Sequence, residues 1–124
     1  MHKEEVELFY KRAQNFLKGA KERYNDKDWD LTCFMAEQAA QLYIKTYILE
    51  KGGEIPRTHS IRKLIALLSK MTNKEINIDK KSLKFLESAY LNTRYFNITY
   101  EEDDAKEAIE IVEGLIKFVG DLKT

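Results

Sequence analysis

The chain has 124 residues, 34% of them charged, and its 21 basic and 21 acidic side chains give a formal net charge of zero. That length suits one domain around one core, expected over residues 1–124, and the charge balance argues against gripping long nucleic acid through bulk electrostatics, leaving only a local basic patch. No apolar run approaches the roughly 18 residues of a membrane span and no signal peptide opens the chain, so a soluble cytoplasmic protein is expected.

A first helix is predicted over about residues 3–24, because Val6, Phe9, Tyr10, Ala13, Phe16, Leu17, Ala20 and Tyr24 recur at spacings of three and four. Asn25 and Asp26 read as a turn, with Asp26 or Asp28 capping the next helix. That second helix, about 28–51, is apolar on two sides. One stripe is Trp29, Cys33, Ala36, Ala40, Tyr43 and Tyr47; the other is Leu31, Met35, Ala39, Leu42 and Leu49. A helix of this kind is buried on both sides, and in so small a bundle the expected second surface is another subunit of a homodimer. Glu37, Gln41 and Lys45, each four residues apart, stack between the stripes and read as a solvated ladder.

Gly52-Gly53 marks the helix stop, since glycine accepts the left-handed conformation there. The connection 54–60 carries the single proline, and Thr58 or Ser60 caps a third helix with a core face of Ile61, Leu64, Ile65, Leu68 and Met71. Residues 72–78 read as a linker, and Asp79 as the cap of a fourth helix bearing Leu83, Phe85, Leu86, Ala89 and Tyr90. Between Tyr90 and Tyr100 the periodicity stops, and three tyrosines, a phenylalanine, two asparagines and Arg94 crowd together, as in a binding loop held by rigid elements. Thr99 to Glu102 fits a capping box. The last helix then carries Ala105, Ile109, Val112, Ile116 and Val119, with Ala108, Ile111, Leu115, Phe118 and Leu122 widening its apolar face. The expected fold is all-α, an antiparallel up-and-down bundle of four to five helices with the second and fifth as its inner pair.

Few residues carry chemistry. Cys33 lies in an apolar stripe and reads as a small buried hydrophobe. No histidine or cysteine spacing suits a metal, no glycine-rich loop cradles a phosphate, and no cofactor is expected. Arg57 and His59 flank Thr58 on the proline-stiffened connection. Arg94 serves the helix dipole in the plainer view. In the functional view its planar fork holds a phosphate while Tyr90, Tyr95 or Phe96 offers a face to a base.

The chain resembles the prokaryotic HEPN (higher eukaryotes and prokaryotes nucleotide-binding) domains over nearly its whole length. The matching pieces are Trp29, Ala36-Glu37-Gln38-Ala39-Ala40 with Lys45, Pro56-Arg57-Thr58-His59, Tyr90 with Thr93-Arg94-Tyr95, and the Glu101-to-Val119 helix with Asp104-Ala105. The resemblance implies a helical bundle, commonly a homodimer with its cleft at the interface. It also implies a nucleotide or RNA as ligand, and a minimal nucleotidyltransferase as partner in a toxin–antitoxin pair. Other members are metal-independent endoribonucleases bearing an arginine, four to six residues, then a histidine. Here Arg57 and His59 are two apart, no histidine follows Arg94, and Tyr100 stands six positions beyond it. A tyrosine, with an ordinary pKa near 10, is a poor proton shuttle at neutral pH, so standard ribonuclease activity is not expected.

The implied ligand-binding set is Arg94, Tyr95, Tyr90, Lys45, Arg57 and His59. The alternatives are a divergent ribonuclease using Arg94 with His59 or Tyr100, and a purely structural interaction module. Tyr100 is also the candidate for adenylylation by the partner.

Overall fold

Five helices build the computed structural model, which describes residues 2–121: α1 (His2–Asn25), α2 (Trp29–Glu50), α3 (Ile61–Thr72), α4 (Lys80–Tyr95) and α5 (Glu102–Asp121). Leu122, expected to extend the apolar face of α5, lies outside the described residues. No strand occurs among the described residues, and none of their helices is long and apolar enough to cross a membrane.

α2 is the axis of the bundle and packs against all four other helices. Small side chains make this possible: Ala36, Ala39 and Ala40 are wholly buried. On α1, a Cβ added at Gly19 would come within 2.3 Å of the Met35 methyl. α5 buries Ala105, Ala108, Val112, Leu115 and Val119 but leaves Glu110, Glu113 and Lys117 exposed, so it is amphipathic rather than a second inner helix.

Burial modifies two expectations about α2. Its second apolar side, where another subunit is expected, is in part covered within the chain. Ala39 and Leu49 are buried and Leu31, Met35 and Leu42 half-buried. The Glu37–Gln41–Lys45 strip is likewise no solvated ladder: Glu37 is 0% exposed, Gln41 4%, and only Lys45 is half-buried. The connection before α3 and the α4 helix close over it, bringing His59 onto Gln41.

The helix ends follow local chemistry, with some shifts from expectation. Asp28 caps α2 by accepting from the Leu31 N–H at 3.3 Å. Gly52, at φ 85°, donates its N–H to the Leu49 carbonyl while Gly53 donates to Ile48, a Schellman ending. Ser60 caps α3 by accepting from the Lys63 N–H at 3.3 Å, and Thr58 accepts from the Ser60 N–H at 3.1 Å. Asp79 occupies the cap position of α4 but accepts from the Ser82 hydroxyl rather than from a backbone N–H.

The α5 cap falls two residues later than the Thr99–Glu102 pattern indicates. The Glu101 N–H donates to the Asp104 carboxylate at 2.9 Å, because either acid of this run satisfies the same geometry. α4 also runs further than expected. Tyr90, Arg94 and Tyr95 are helical, and only residues 96–101 are irregular, since neither glycine nor proline interrupts the helix earlier.

Candidate functional site

The site begins inside α2. The amides of Gln38 and Gln41 donate to the two oxygens of the Glu37 carboxylate, at 2.8 and 2.5 Å. Burial pushes the Glu37 carboxyl up from 4.5 to about 7, against the pull of those two amides and the Lys45 ammonium. Glu87 on α4 adds to the rise. Burial in turn lowers the Lys45 ammonium from its ordinary value, while the Glu37 charge opposes that shift.

Gln41 passes the contact outward. Its oxygen faces His59 Nδ1 at 3.3 Å. The imidazole lies flat on the Tyr90 ring, with centroids 4.5 Å apart and planes 17° apart. Phe34 stacks on Tyr90 at 6.2 Å. The Tyr90 hydroxyl accepts from Arg94 Nη1 at 3.0 Å, and the guanidinium carbon sits 5.3 Å from the Tyr90 ring centre and 5.4 Å from that of Tyr95. A cation held over aromatic faces keeps its charge while gaining order. A line of contacts thus runs from a buried carboxylate to an exposed arginine.

His59 and Tyr90 line a cleft of about 500 Å³ between the start of α3 and the outer face of α4. Arg62, Lys63, Lys84, Glu87, Ser88 and Leu91 line it too. Arg62 Nε pairs with Glu87 at 2.7 Å, and the Ser60 hydroxyl donates to the same carboxylate at 3.1 Å. The only acid of the cleft is therefore already neutralised. Among the described residues Lys63, Lys84 and Arg94 have no acidic partner. A depression of about 600 Å³ between α1 and α2 mixes Lys3 with Glu7 and Glu50 and concentrates no single charge.

Of the residues singled out in the sequence, His59, Tyr90 and Arg94 come together, and Tyr95 lies beside Arg94 with 61% of its surface exposed. Lys45 sits one turn beyond Gln41, outside the cleft lining. Arg57 is exposed and is joined to none of these residues by a hydrogen bond or ion pair.

Tyr100 is occupied elsewhere. Its hydroxyl accepts from the Asn92 amide at 2.8 Å, its N–H donates to Asp30 at 2.6 Å, and its ring meets Phe85 edge-on. It ties the α4–α5 connection to the start of α2. Cys33 is wholly buried, and desolvation by burial, reinforced by Asp104, pushes its thiol up to about 12. No group of three or more metal-ligating side chains occurs among the described residues.

Sequence reasoning missed Lys63, Lys84 and Glu87, along with the burial of Glu37 and Gln41. The readable signal was on α4, where Lys84, Ser88 and Leu91 recur at helical spacing on one face. Nothing in sequence said that α3 lies opposite.

A profile of the HEPN domain matches residues 6–122. Among solved structures, TT1696 from Thermus thermophilus superposes with a TM-score of 0.80 at 24% identity, covering 94% of this chain and 97% of that one. ST0689, an archaeal HEPN homologue, superposes with a TM-score of 0.72 at 25% identity and the same coverage. No curated protein matches the chain in sequence.

Proposed function

The chain belongs to the HEPN domain family, and from that membership we propose that it is a nucleotide- or RNA-binding subunit whose contact surface is the His59–Tyr90–Arg94 cleft. The observation that carries the proposal is charge placement. In a chain of zero net charge, Lys63, Lys84 and Arg94 stand without acidic partners around stacked aromatic groups. Cations hold phosphate oxygens, and the exposed faces of Tyr95 and Phe96 offer stacking surface worth about 1–3 kcal/mol per base. The partner in this proposal is a minimal nucleotidyltransferase in a toxin–antitoxin-type pair, and the working form a homodimer.

Cleavage chemistry has less support. Arg94 is engaged with Tyr90 rather than with a proton-moving group, and Tyr100 is tied to Asn92. Calorimetry with ATP, GTP and a short single-stranded RNA tests the binding. We expect micromolar-to-millimolar binding of at least one, weakened about tenfold or more by Arg94→Ala and by Lys84→Glu. Binding unaffected by both substitutions would place the contact elsewhere. Metal-free cleavage of the RNA that is lost in His59→Ala would favour the ribonuclease alternative.

A further inference from the structure

We propose that Glu37 and Gln41 are positioning residues for His59, fixing its imidazole as the Nδ1–H tautomer so that Nε2 serves as the hydrogen-bond acceptor for a ribose 2′-hydroxyl beside a bound phosphate. The ligand half of this inference rests on the nucleotide-binding proposal above; the positioning half does not.

At pH 8, above the value of about 7 to which burial raises it, the Glu37 carboxylate is ionised and only accepts, whereas a glutamine amide has one accepting oxygen and one donating nitrogen. Gln41 turns its nitrogen to Glu37, at 2.5 Å, and therefore presents its oxygen to His59 Nδ1 at 3.3 Å. Gln38 donates to the other carboxylate oxygen, so the carboxylate is held from two sides.

An oxygen cannot donate, so the proton between Gln41 and His59 belongs to Nδ1. A neutral imidazole carries one N–H, which leaves Nε2 with a lone pair. Among the described residues Nε2 has no hydrogen-bond partner, and Tyr90 holds the ring plane by stacking. His59 lines the same cleft as Lys63 and Lys84. An acceptor set beside cations suits a ligand that offers a hydroxyl next to a phosphate. RNA has that pair at every nucleotide, and DNA lacks it.

Nitrogen-15 NMR of the histidine rings in the whole chain reads the tautomer directly. Only His2 and His59 contribute, and His59→Gln assigns the signals. At pH 8 we expect the protonated-nitrogen shift at Nδ1 and the lone-pair shift at Nε2. Glu37→Gln supplies an amide that no longer dictates which way Gln41 faces, and Gln41→Met removes the relay. In both, the proton should redistribute toward Nε2 while the far-ultraviolet circular dichroism stays helical.

A wild-type ring protonated at Nε2, or a tautomer unchanged in the variants, would overturn the positioning role. A short uridine-containing RNA and the DNA of the same sequence then test the ligand half by calorimetry. We expect RNA to bind several-fold more tightly, with the preference lost in Glu37→Gln. Equal affinities overturn the hydroxyl contact. If neither oligonucleotide binds, the ligand half fails with the nucleotide-binding proposal, and the NMR result still decides the positioning half.

Discussion

Replacing Glu37 by glutamine should change how stability depends on pH, and the structure sets both sign and ceiling. The carboxyl is wholly buried and raised from 4.5 to about 7, chiefly by desolvation. Between those values the folded chain keeps a proton that the unfolded chain has released. Stability conferred by that proton is fully present below pH 4.5 and is lost as pH rises toward 7. The rise from 4.5 to about 7, at roughly 1.4 kcal/mol per pH unit, limits the loss to about 3–4 kcal/mol. Glutamine keeps the size and a hydrogen-bonding group but cannot ionise, so its variant should lack this component.

Urea unfolding of both proteins at pH 5, 6, 7 and 8 measures it, because other carboxylates titrate alike in each and cancel in the difference. We expect the stability of Glu37→Gln minus that of the wild type to grow by about 2–3 kcal/mol across the range. Parallel stability curves would refute the idea that the buried site strains to hold a charge.

Two further outcomes follow from local geometry. Lys27 adopts φ 63° just past α1, a left-handed conformation costing roughly 1 kcal/mol for a residue with a Cβ. Lys27→Gly should raise stability by about that much, seen as a Tm increase of roughly 4 °C in a thermal melt; an unchanged or lower Tm would contradict it. Cys33, buried with its thiol pushed up to about 12, should resist a thiol reagent at pH 8 in the native protein and react fully in denaturant. Rapid native labelling would show that α2 is less enclosed than its packing indicates.

Much of the fold was legible because it rests on periodic patterns. The spacing of apolar residues gave five helices, and Gly52-Gly53, Asp28 and Ser60 marked ends that hydrogen bonds then satisfied. The misplaced features depend on what packs against a helix, which periodicity does not contain. The two-sided apolarity of α2 implied burial on both sides, and α1, α3, α4 and α5 of the same chain supply part of that cover.

The site was legible in part. Tyr90 and Arg94 stood out because aromatic and cationic residues four apart share a helix face, and their hydroxyl–guanidinium contact follows. Glu37 and Gln41 looked like any solvated pair, since a polar strip on a helix reads alike under water or under a neighbouring loop. Their burial depends on His59, 18 residues beyond Gln41. Lys63 and Lys84 were hidden for the opposite reason: a surface lysine becomes informative only when a second cation across a cleft shares its space.

In the function proposed here, the cleft between α3 and α4 receives a phosphate-bearing ligand. Mapping amide chemical shifts while titrating the nitrogen-15-labelled chain with a ribonucleoside monophosphate and a short RNA tests it most directly. Saturable shifts should concentrate at His59–Lys63 and Lys84–Arg94 and be abolished by Lys84→Glu. Shifts confined to the α1–α2 depression near Tyr10 and Tyr47, or no saturable shifts with either ligand, would contradict it.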